Sequence, residues 1–93
     1  MEEIIYYSAL YDYYQSLLTE VQRKYFEDYY FNNLSLQEIA DMYNVSRNAI
    51  SKTLKEIKEK LDYYESNLKL YDNKNKIKDI LSDEEFNKIE KYI

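Results

Sequence analysis

The sequence contains no cysteine, histidine, glycine or proline. Without cysteine and histidine, disulfide bonds, thiol chemistry, imidazole acid–base catalysis and most zinc sites are excluded. Without glycine, the glycine-rich loop that cradles phosphates in P-loop enzymes is excluded as well. The absence of glycine and proline also favours long helices with few strained turns, and the alternating pattern of β-strands is missing. The composition therefore predicts an all-α protein.

Long apolar runs are missing too. The longest uncharged stretch, Tyr29 to Gln37, is far shorter than the ~20 residues that a membrane-spanning helix requires. The start, Met1-Glu2-Glu3, is acidic, whereas a secretory signal starts with basic residues. A length of 93 residues indicates one domain. We therefore expect a soluble, cytoplasmic protein that does not span a membrane.

The most informative segment runs from Leu34 to Ile50. It predicts a helix-turn-helix, two short helices of which the second lies in a DNA groove. Ser35 and Glu38 are spaced to form a capping box for the first helix, and Ser46 is placed to cap the second. Asn44 is expected in the turn, because Asn tolerates a left-handed backbone. The apolar residues expected to face inward around this turn are Ile39, Ala40, Tyr43, Val45, Ile50 and Leu54.

Apolar residues at helical spacing predict further helices on both sides of this segment. We expect a first helix over residues 3–18 and a second over 20–31, which starts behind a Thr19–Gln22 capping box. Two short helices, over 76–81 and 83–92, should follow a polar break at 72–75; Ser82 and Glu85 can cap the last one. The thirteen tyrosines are expected to fill core edges and leave their hydroxyls in water.

The helix that starts at Ser46 has no stop signal before Asp72. Its apolar positions advance in alternating steps of four and three residues, which is a heptad pattern. This pattern predicts a long seam against another helix, either the first helix of the same chain or a second copy. The seam residues we single out are Ile57, Leu61, Tyr64 and Leu68. We expect a helical domain over residues 1–71 that contains the helix-turn-helix (35–55), and a short helical extension (72–93) that packs on the core or on a dimer partner.

One face of the second motif helix has the chemistry of a DNA-reading surface. Its residues follow i, i+1, i+4 spacing and form one stripe. Arginine can bond guanine and asparagine can bond adenine with two hydrogen bonds each, while serine and lysine suit phosphates. A glutamine near the start of the preceding helix is placed to touch a phosphate. The alternative is an ordinary solvated face. The candidate DNA-binding residues are Gln37, Arg47, Asn48, Ser51, Lys52 and Lys55.

The charge of the chain is unevenly distributed. Thirteen basic and eighteen acidic residues give a net charge of −5. Residues 46–61 carry +3, whereas residues 1–34 carry −4. A single copy that neutralises only ~3–5 phosphates would bind DNA weakly and lose affinity with salt. A dimer that presents two reading helices would compensate for this weakness.

Several motifs resemble region four of bacterial sigma factors. They are Leu18 to Phe26, Tyr29-Tyr30, Leu34-Ser35, Glu38-Ile39-Ala40, Val45-Ser46-Arg47, Ala49-Ile50 and Leu54. Because of its acidic, aromatic first helix and its long helix through Lys60 to Leu70, the chain resembles more closely the YlxM family of small bacterial helix-turn-helix proteins. The likeness extends from Ile4 to about Leu70, and Asn44 stands where the pattern usually has glycine.

This resemblance implies an all-helical protein that forms a homodimer. It also implies a link to the signal recognition particle, because family members are encoded beside components of that particle and are proposed to regulate or assist its pathway. The DNA contacts of the sigma-like motif would fall on the six candidate residues named above.

We compare three kinds of function with these observations. The first is a regulator that binds double-stranded DNA. The second is a protein–protein adaptor of the signal recognition particle pathway that keeps the fold and uses its acidic faces. The third is an enzyme in which Asp83-Glu84-Glu85 binds Mg²⁺, but acidic first turns are expected from the helix dipole alone. We therefore expect no enzyme, no cofactor and no metal site.

Overall fold

The computed structural model describes residues 2–93. In this range the chain forms α-helices and short 3-10 segments, without a β-strand. The helices are α1 (Glu2–Tyr14), α2 (Glu20–Tyr30), α3 (Leu36–Tyr43), α4 (Arg47–Leu68), α5 (Leu70–Ile80) and α6 (Asp83–Ile89), and the 3-10 segments are Gln15–Leu17 and Glu90–Tyr92. Among the described residues, none of the helices combines the length and hydrophobicity needed to cross a membrane. The predicted all-α fold is confirmed.

Side-chain caps start the helices where the sequence predicts them. Capping boxes precede three helices, so that a hydroxyl and a carboxylate or amide side chain bond each other's backbone N–H groups. They are Thr19–Gln22 before α2, Ser35–Glu38 before α3 and Ser82–Glu85 before α6. At α4, the Ser46 hydroxyl accepts a hydrogen bond from the Ala49 N–H at 3.0 Å. These four predicted caps are confirmed.

Left-handed backbone conformations mark two loops and a helix end. Asn33, Asn44 and Lys69 have φ values of 57°, 55° and 55°. Asparagine adopts this conformation more readily than most residues, and the chain has no glycine for it. The left-handed turn at Asn44 is confirmed. Lys69 ends α4, although the sequence predicts no stop before Asp72.

The long helix α4 is the centre of the fold, and α1, α2 and α3 all pack against it. Its inward face is apolar at helical spacing, which allows three helices to bury their own apolar stripes on it. The buried core consists of Leu10, Tyr11, Tyr14, Leu18, Phe26, Ile39, Ala40, Ile50, Leu54, Ile57 and Leu61. Leu10 of α1 is fully buried, whereas Ile4 in the first turns of the same helix is 46% exposed.

Tyrosine hydroxyls donate hydrogen bonds to carboxylates where helices meet. Three of these tyrosines form a stripe on α1 that contacts α2 and α4, and a fourth joins α3 to the end of α2. The pairs are Tyr7–Asp62 (2.8 Å), Tyr11–Glu27, Tyr14–Glu65 (2.7 Å) and Tyr43–Asp28 (2.9 Å). The expectation that tyrosine hydroxyls stay in water is wrong for Tyr14, whose bond is buried, and holds only in part for Tyr11 and Tyr43, whose bonds are half-buried.

Further predicted helix boundaries are wrong. The first helix ends at Tyr14 and continues as a 3-10 segment, so Leu18 lies outside it. Helix α5 begins at Leu70 instead of Lys76, and it includes the polar residues 72–75. Glu65 of α4 causes this early start, because its carboxylate accepts hydrogen bonds from the free N–H groups of Tyr71 and Asp72 in the first turn of α5. The polarity of residues 72–75 reflects an exposed helix surface and not a break.

The two C-terminal helices pack onto the helices that precede them. Helix α5 packs against α1 and α4, and α6 packs against α5. Phe86 of α6 is 6% exposed. The proposed division of the chain after residue 71 stays a prediction, and α5 crosses it.

Candidate nucleic-acid interface

Helices α3 and α4 form the helix-turn-helix. Asn44 takes the left-handed conformation (φ 55°, ψ 46°), and the N–H of Val45 donates to the Ala40 carbonyl at 3.0 Å, which closes the end of α3. Ile39 and Ile50 are fully buried and hold the two helices together. The prediction that Val45 faces inward is wrong: it is 42% exposed, because the buried residues on α3 and α4 already close the contact.

The candidate DNA-binding residues lie on this motif, and each of them is exposed. They are Gln37 on the first turn of α3, and Arg47, Asn48, Ser51, Lys52 and Lys55 on the first three turns of α4. The helical spacing brings the five residues of α4 into one stripe beside the buried Ile50 and Leu54. The N-terminal turns of α4 therefore present a polar surface to solvent.

Three residues of the stripe are cations. Within the part of the chain that the structure describes, Arg47, Lys52 and Lys55 form no ion pair. Glu56 and Glu59 each follow a lysine of the stripe by four residues, so the basic surface ends at the third turn of α4. The positive charge thus lies on the part of a reading helix that contacts base edges in helix-turn-helix proteins.

Gln37 is held by a bond within its own helix. Its amide nitrogen donates to Asp41 Oδ1 at 2.9 Å. A side-chain amide has two hydrogens, so the second can donate to a phosphate oxygen. Asp41 also adds an exposed negative charge to this surface.

A cleft of about 270 Å³ opens beside the stripe, between α2, the start of α3 and α4. We call it the lysine–tyrosine cleft, and it is lined by Tyr29, Tyr30, Leu36, Ser51, Leu54, Lys55 and Lys58. The sequence prediction did not include Lys58. Positions 51, 55 and 58 follow i, i+4, i+7 spacing, and this signal could have added Lys58 to the stripe.

Lys58 is connected to the first helix. Its ammonium forms an ion pair with Glu3 and lies 5.6 Å from the centre of the Tyr7 ring. The hydrogen bond between the two groups raises the pKa of Lys58 and lowers the pKa of Glu3. Burial raises the pKa of Tyr30, and the nearby Lys58 opposes this rise. Lys58 is therefore a charged group that faces both the cleft and α1.

The four seam residues do not form one continuous surface. Ile57 and Leu61 are fully buried in the core of the chain itself. Tyr64 is half-buried and donates a hydrogen bond to the Leu17 carbonyl at 3.3 Å. Leu68 is 51% exposed. Only Leu68 among the four is open enough for a large contact with another molecule.

Apolar side chains also lie on the surface of the C-terminal region. Ile80 is 80% exposed and Tyr92 is 75% exposed. The residues between them include the exposed acidic side chains of Asp83 and Glu84. This region combines apolar and negatively charged groups, whereas the helix-turn-helix stripe is polar and positive.

Comparison with known proteins identifies similar chains. The model of the UPF0122 family, described as a YlxM / p13-like helix-turn-helix protein, matches residues 1–92. A UPF0122 protein of Shouchella clausii (strain KSM-K16) is 49% identical over 61 residues, which are 66% of this chain and 56% of that protein. A UPF0122 protein of Staphylococcus aureus (strain JH9) is 47% identical over 62 residues, which are 67% of this chain and 56% of that protein. The match spans little more than half the length of these curated relatives.

Proposed function

The chain belongs to the UPF0122 family of YlxM/p13-like helix-turn-helix proteins, and from this premise we propose that it binds double-stranded DNA with α4 in the major groove. The observation that carries the proposal is the exposed stripe on α4, whose three cations have no anionic partner among the described residues. Such cations are available to DNA without first breaking an ion pair. The protein acts as a regulator in the cytoplasm and without catalysis.

Each residue of the stripe has a role that its chemistry suits. Arg47 bonds guanine and Asn48 bonds adenine, because both side chains match the base edges with two hydrogen bonds. Ser51 and Lys52 contact the groove wall or a phosphate, and Lys55 contacts a phosphate. Gln37, at the start of α3, also contacts a phosphate through its free amide hydrogen.

The number of cations sets the expected affinity. With Lys52 and Lys55 on phosphates, one copy has a slope of about −1.8 for the logarithm of the binding constant against the logarithm of the salt concentration. Affinity should then fall about 12-fold between 50 and 200 mM salt. One copy would bind too weakly for specific recognition, and we propose that a homodimer presents two α4 helices to a two-fold DNA site.

The dimer contact has to use residues outside the buried part of the seam. Ile57 and Leu61 are fully buried in one copy and are therefore occupied. Leu68 and Leu70, 51% and 44% exposed at the junction of α4 and α5, are open to a second copy. Sedimentation equilibrium should show a dimer that Leu68→Asp converts to a monomer. A wild-type protein that is monomeric at all tested concentrations would contradict the homodimer.

The test of DNA binding compares two double variants with equal loss of charge. Arg47→Ala/Lys52→Ala removes two cations from the stripe, and Lys24→Ala/Lys88→Ala removes two from surface ion pairs elsewhere. We expect the stripe variant to lose at least tenfold in affinity for a random-sequence duplex pool at low salt. The control variant should bind within about twofold of the wild type. Fluorescence anisotropy measures both, and circular dichroism confirms that both keep their helices.

Two results would contradict the proposal. Equal binding by the two variants would mean that the stripe does not contact DNA. A wild-type protein that does not bind the duplex pool even at low salt would mean that the chain has the fold without this activity.

A protein–protein adaptor is the second candidate function, and the acidic charge favours it. The net charge is −5, and the segment between the exposed Ile80 and Tyr92 contains four acidic and two basic residues. A partner with basic and apolar groups would match this surface, and the link to the signal recognition particle stays a prediction from the family resemblance. An adaptor should keep its partner in the Arg47→Ala/Lys52→Ala variant and lose it in an Ile80→Asp variant. Loss in the stripe variant instead would contradict the adaptor.

A further inference from the structure

The lysine–tyrosine cleft lies beside the proposed reading surface. Ser51 and Lys55 belong both to the cleft and to the stripe, so the two surfaces meet along α4. On its other side the cleft is bounded by Leu36, the residue next to Gln37 at the start of α3. In helix-turn-helix proteins the first motif helix crosses the DNA backbone while the second lies in the major groove. Because the cleft lies between the start of α3 and α4, it is in position to receive that backbone.

The chemistry of the cleft suits a phosphate group. The ammonium groups of Lys55 and Lys58, the hydroxyl of Ser51 and the hydroxyl of Tyr30 are donors, and a phosphodiester has oxygens only to accept. Lys55 has no ion pair among the described residues. The remaining lining is apolar and consists of Leu36, Leu54 and the ring of Tyr29.

Lys58 already has an anionic partner that can be exchanged. Glu3 reaches it from the first turns of α1, 55 residues away in the chain, and the carboxylate is itself exposed to solvent. An exposed carboxylate that leaves an ion pair is readily hydrated, so replacing it with a phosphate has a small desolvation penalty. In the free protein Glu3 neutralises Lys58, and of the two lysines of the cleft only Lys55 then keeps its positive charge unpaired among the described residues.

We propose that the lysine–tyrosine cleft binds a phosphate group of the DNA backbone, that Lys58 is a phosphate ligand, and that Glu3 occupies Lys58 until the phosphate replaces it. This inference rests on the proposed DNA binding. It assigns to α1 a regulatory role, because the acidic start of that helix competes with DNA for one cation. It also extends the contact surface one turn beyond Lys55.

The test compares substitutions of Lys58 and Glu3, which should change the affinity for DNA in opposite directions. Lys58→Gln removes the phosphate ligand, and we expect duplex affinity at 50 mM salt to fall about three- to tenfold, with the salt slope reduced by about 0.9. Glu3→Gln removes the competitor, and we expect affinity to rise about two- to fivefold. Lys60→Gln is the matched control on the same helix, because Lys60 donates a hydrogen bond to Gln22 outside the cleft. It should leave the salt slope unchanged.

A purely structural ion pair would give a different pattern. Glu3→Gln and Lys58→Gln would then weaken binding alike through loss of stability, and this result would overturn the inference. Lys58→Gln that behaves like Lys60→Gln would also overturn it, although the proposed DNA binding would stand. The double variant Glu3→Gln/Lys58→Gln should bind like Lys58→Gln alone, because Glu3 acts through Lys58.

A second probe separates this inference from the proposed function. If the wild type binds no duplex, the proposed function fails, and inorganic pyrophosphate is titrated while amide resonances are recorded by NMR. Shifts centred on Ser51, Lys55 and Lys58 that Lys58→Gln abolishes would identify the cleft as a phosphate site for a small ligand. The absence of such shifts would show that the cleft binds neither a phosphate of DNA nor a small phosphate ligand.

Discussion

Glu65 is a single acidic residue that joins three helices. It lies on α4 and is 8% exposed. Its carboxylate accepts hydrogen bonds from the Tyr14 hydroxyl at 2.7 Å and from the N–H groups of Tyr71 and Asp72 at 3.2 and 3.0 Å. The Tyr14 hydroxyl in turn accepts from the Leu70 N–H at 3.1 Å. A buried carboxylate is tolerated only with such partners, and this one caps α5 and attaches it to α1.

Substitution of Glu65 should weaken the attachment of α5. In Glu65→Gln, one of the carboxylate oxygens becomes an amide nitrogen that cannot accept, so at least one buried donor loses its partner. We expect the free energy of unfolding to fall by about 1–3 kcal/mol. Amide hydrogen exchange in the first turn of α5 should become faster than in α3. Urea denaturation and exchange measured by NMR check the two effects.

The matched control is Glu56→Gln, an exposed position on the same helix. It should change stability by less than about 0.5 kcal/mol. Unchanged exchange in α5 of the Glu65→Gln protein would show that this carboxylate does not hold the helix.

At the scale of helices, α4 starts with a simpler cap than α2, α3 and α6. Those three have capping boxes, whereas the residue at the matching position of α4 is Ala49, which has no acceptor. The first turn of α4 therefore depends on the Ser46 hydroxyl alone. This turn includes Arg47 and Asn48, the residues to which we assign base contacts. A loss of the Ser46 cap should therefore also disturb the positions of Arg47 and Asn48.

Two substitutions of Ser46 should separate stability from DNA binding. Ser46→Ala removes the cap and should lower the free energy of unfolding by about 1 kcal/mol. Ser46→Asp keeps a capping oxygen and should keep the stability within about 0.5 kcal/mol, but it places a negative charge beside Arg47 and should weaken DNA binding. Denaturation in urea and anisotropy with labelled duplex measure the two properties. Equal stability of Ser46→Ala and the wild type would show that the cap is dispensable.

At the scale of the whole molecule, α1 is attached largely through tyrosines that bond carboxylates. Tyr7, Tyr11 and Tyr14 donate to acidic side chains of α2 and α4. Burial is the main cause that raises the pKa of Tyr7 and Tyr11, and these hydrogen bonds are the second cause. The same two causes raise the pKa of Tyr14 to about 12. The acidic residues that serve as acceptors are thus partly structural, which accounts for some of the negative charge that opposes DNA binding.

These shifts predict that the fold is lost at alkaline pH. The pKa of each tyrosine is higher in the folded state than its ordinary value of 10.0, so the stabilisation is complete below pH 10 and is lost as pH rises through the folded-state value. For Tyr14 alone, the loss by about pH 12 amounts to about 2–3 kcal/mol. We expect cooperative unfolding above pH 10, measured by far-ultraviolet circular dichroism together with tyrosinate absorbance.

Tyr14→Phe should make stability less dependent on pH between 10 and 12, even though the variant is less stable at neutral pH. Tyr63→Phe is the control, because Tyr63 is 67% exposed. The same pH dependence in both variants would show that Tyr14 does not contribute to the alkaline transition.

The sequence alone determines the local features of this protein. Caps at Ser35 and Ser46 and the turn at Asn44 are correctly located, and the residues from Arg47 to Lys55 are exposed on one helix as their spacing indicates, because each feature depends on residues no more than eight positions apart. Missing glycine and proline, with apolar residues at helical spacing, also determine the all-α class. The function of the stripe is a separate matter, since an exposed polar face has the same pattern with or without DNA.

The tertiary structure decides which distant groups meet. Tyr14 and Glu65 are 51 residues apart, and Glu3 and Lys58 are 55 apart, yet each pair forms a contact. Helical periodicity specifies the face on which a residue lies but not the helix that packs against that face, so it could not distinguish a seam within one chain from one between copies. Only the packing of α1 on α4 places Ile57 and Leu61 in the core and the acidic start of α1 beside the cleft.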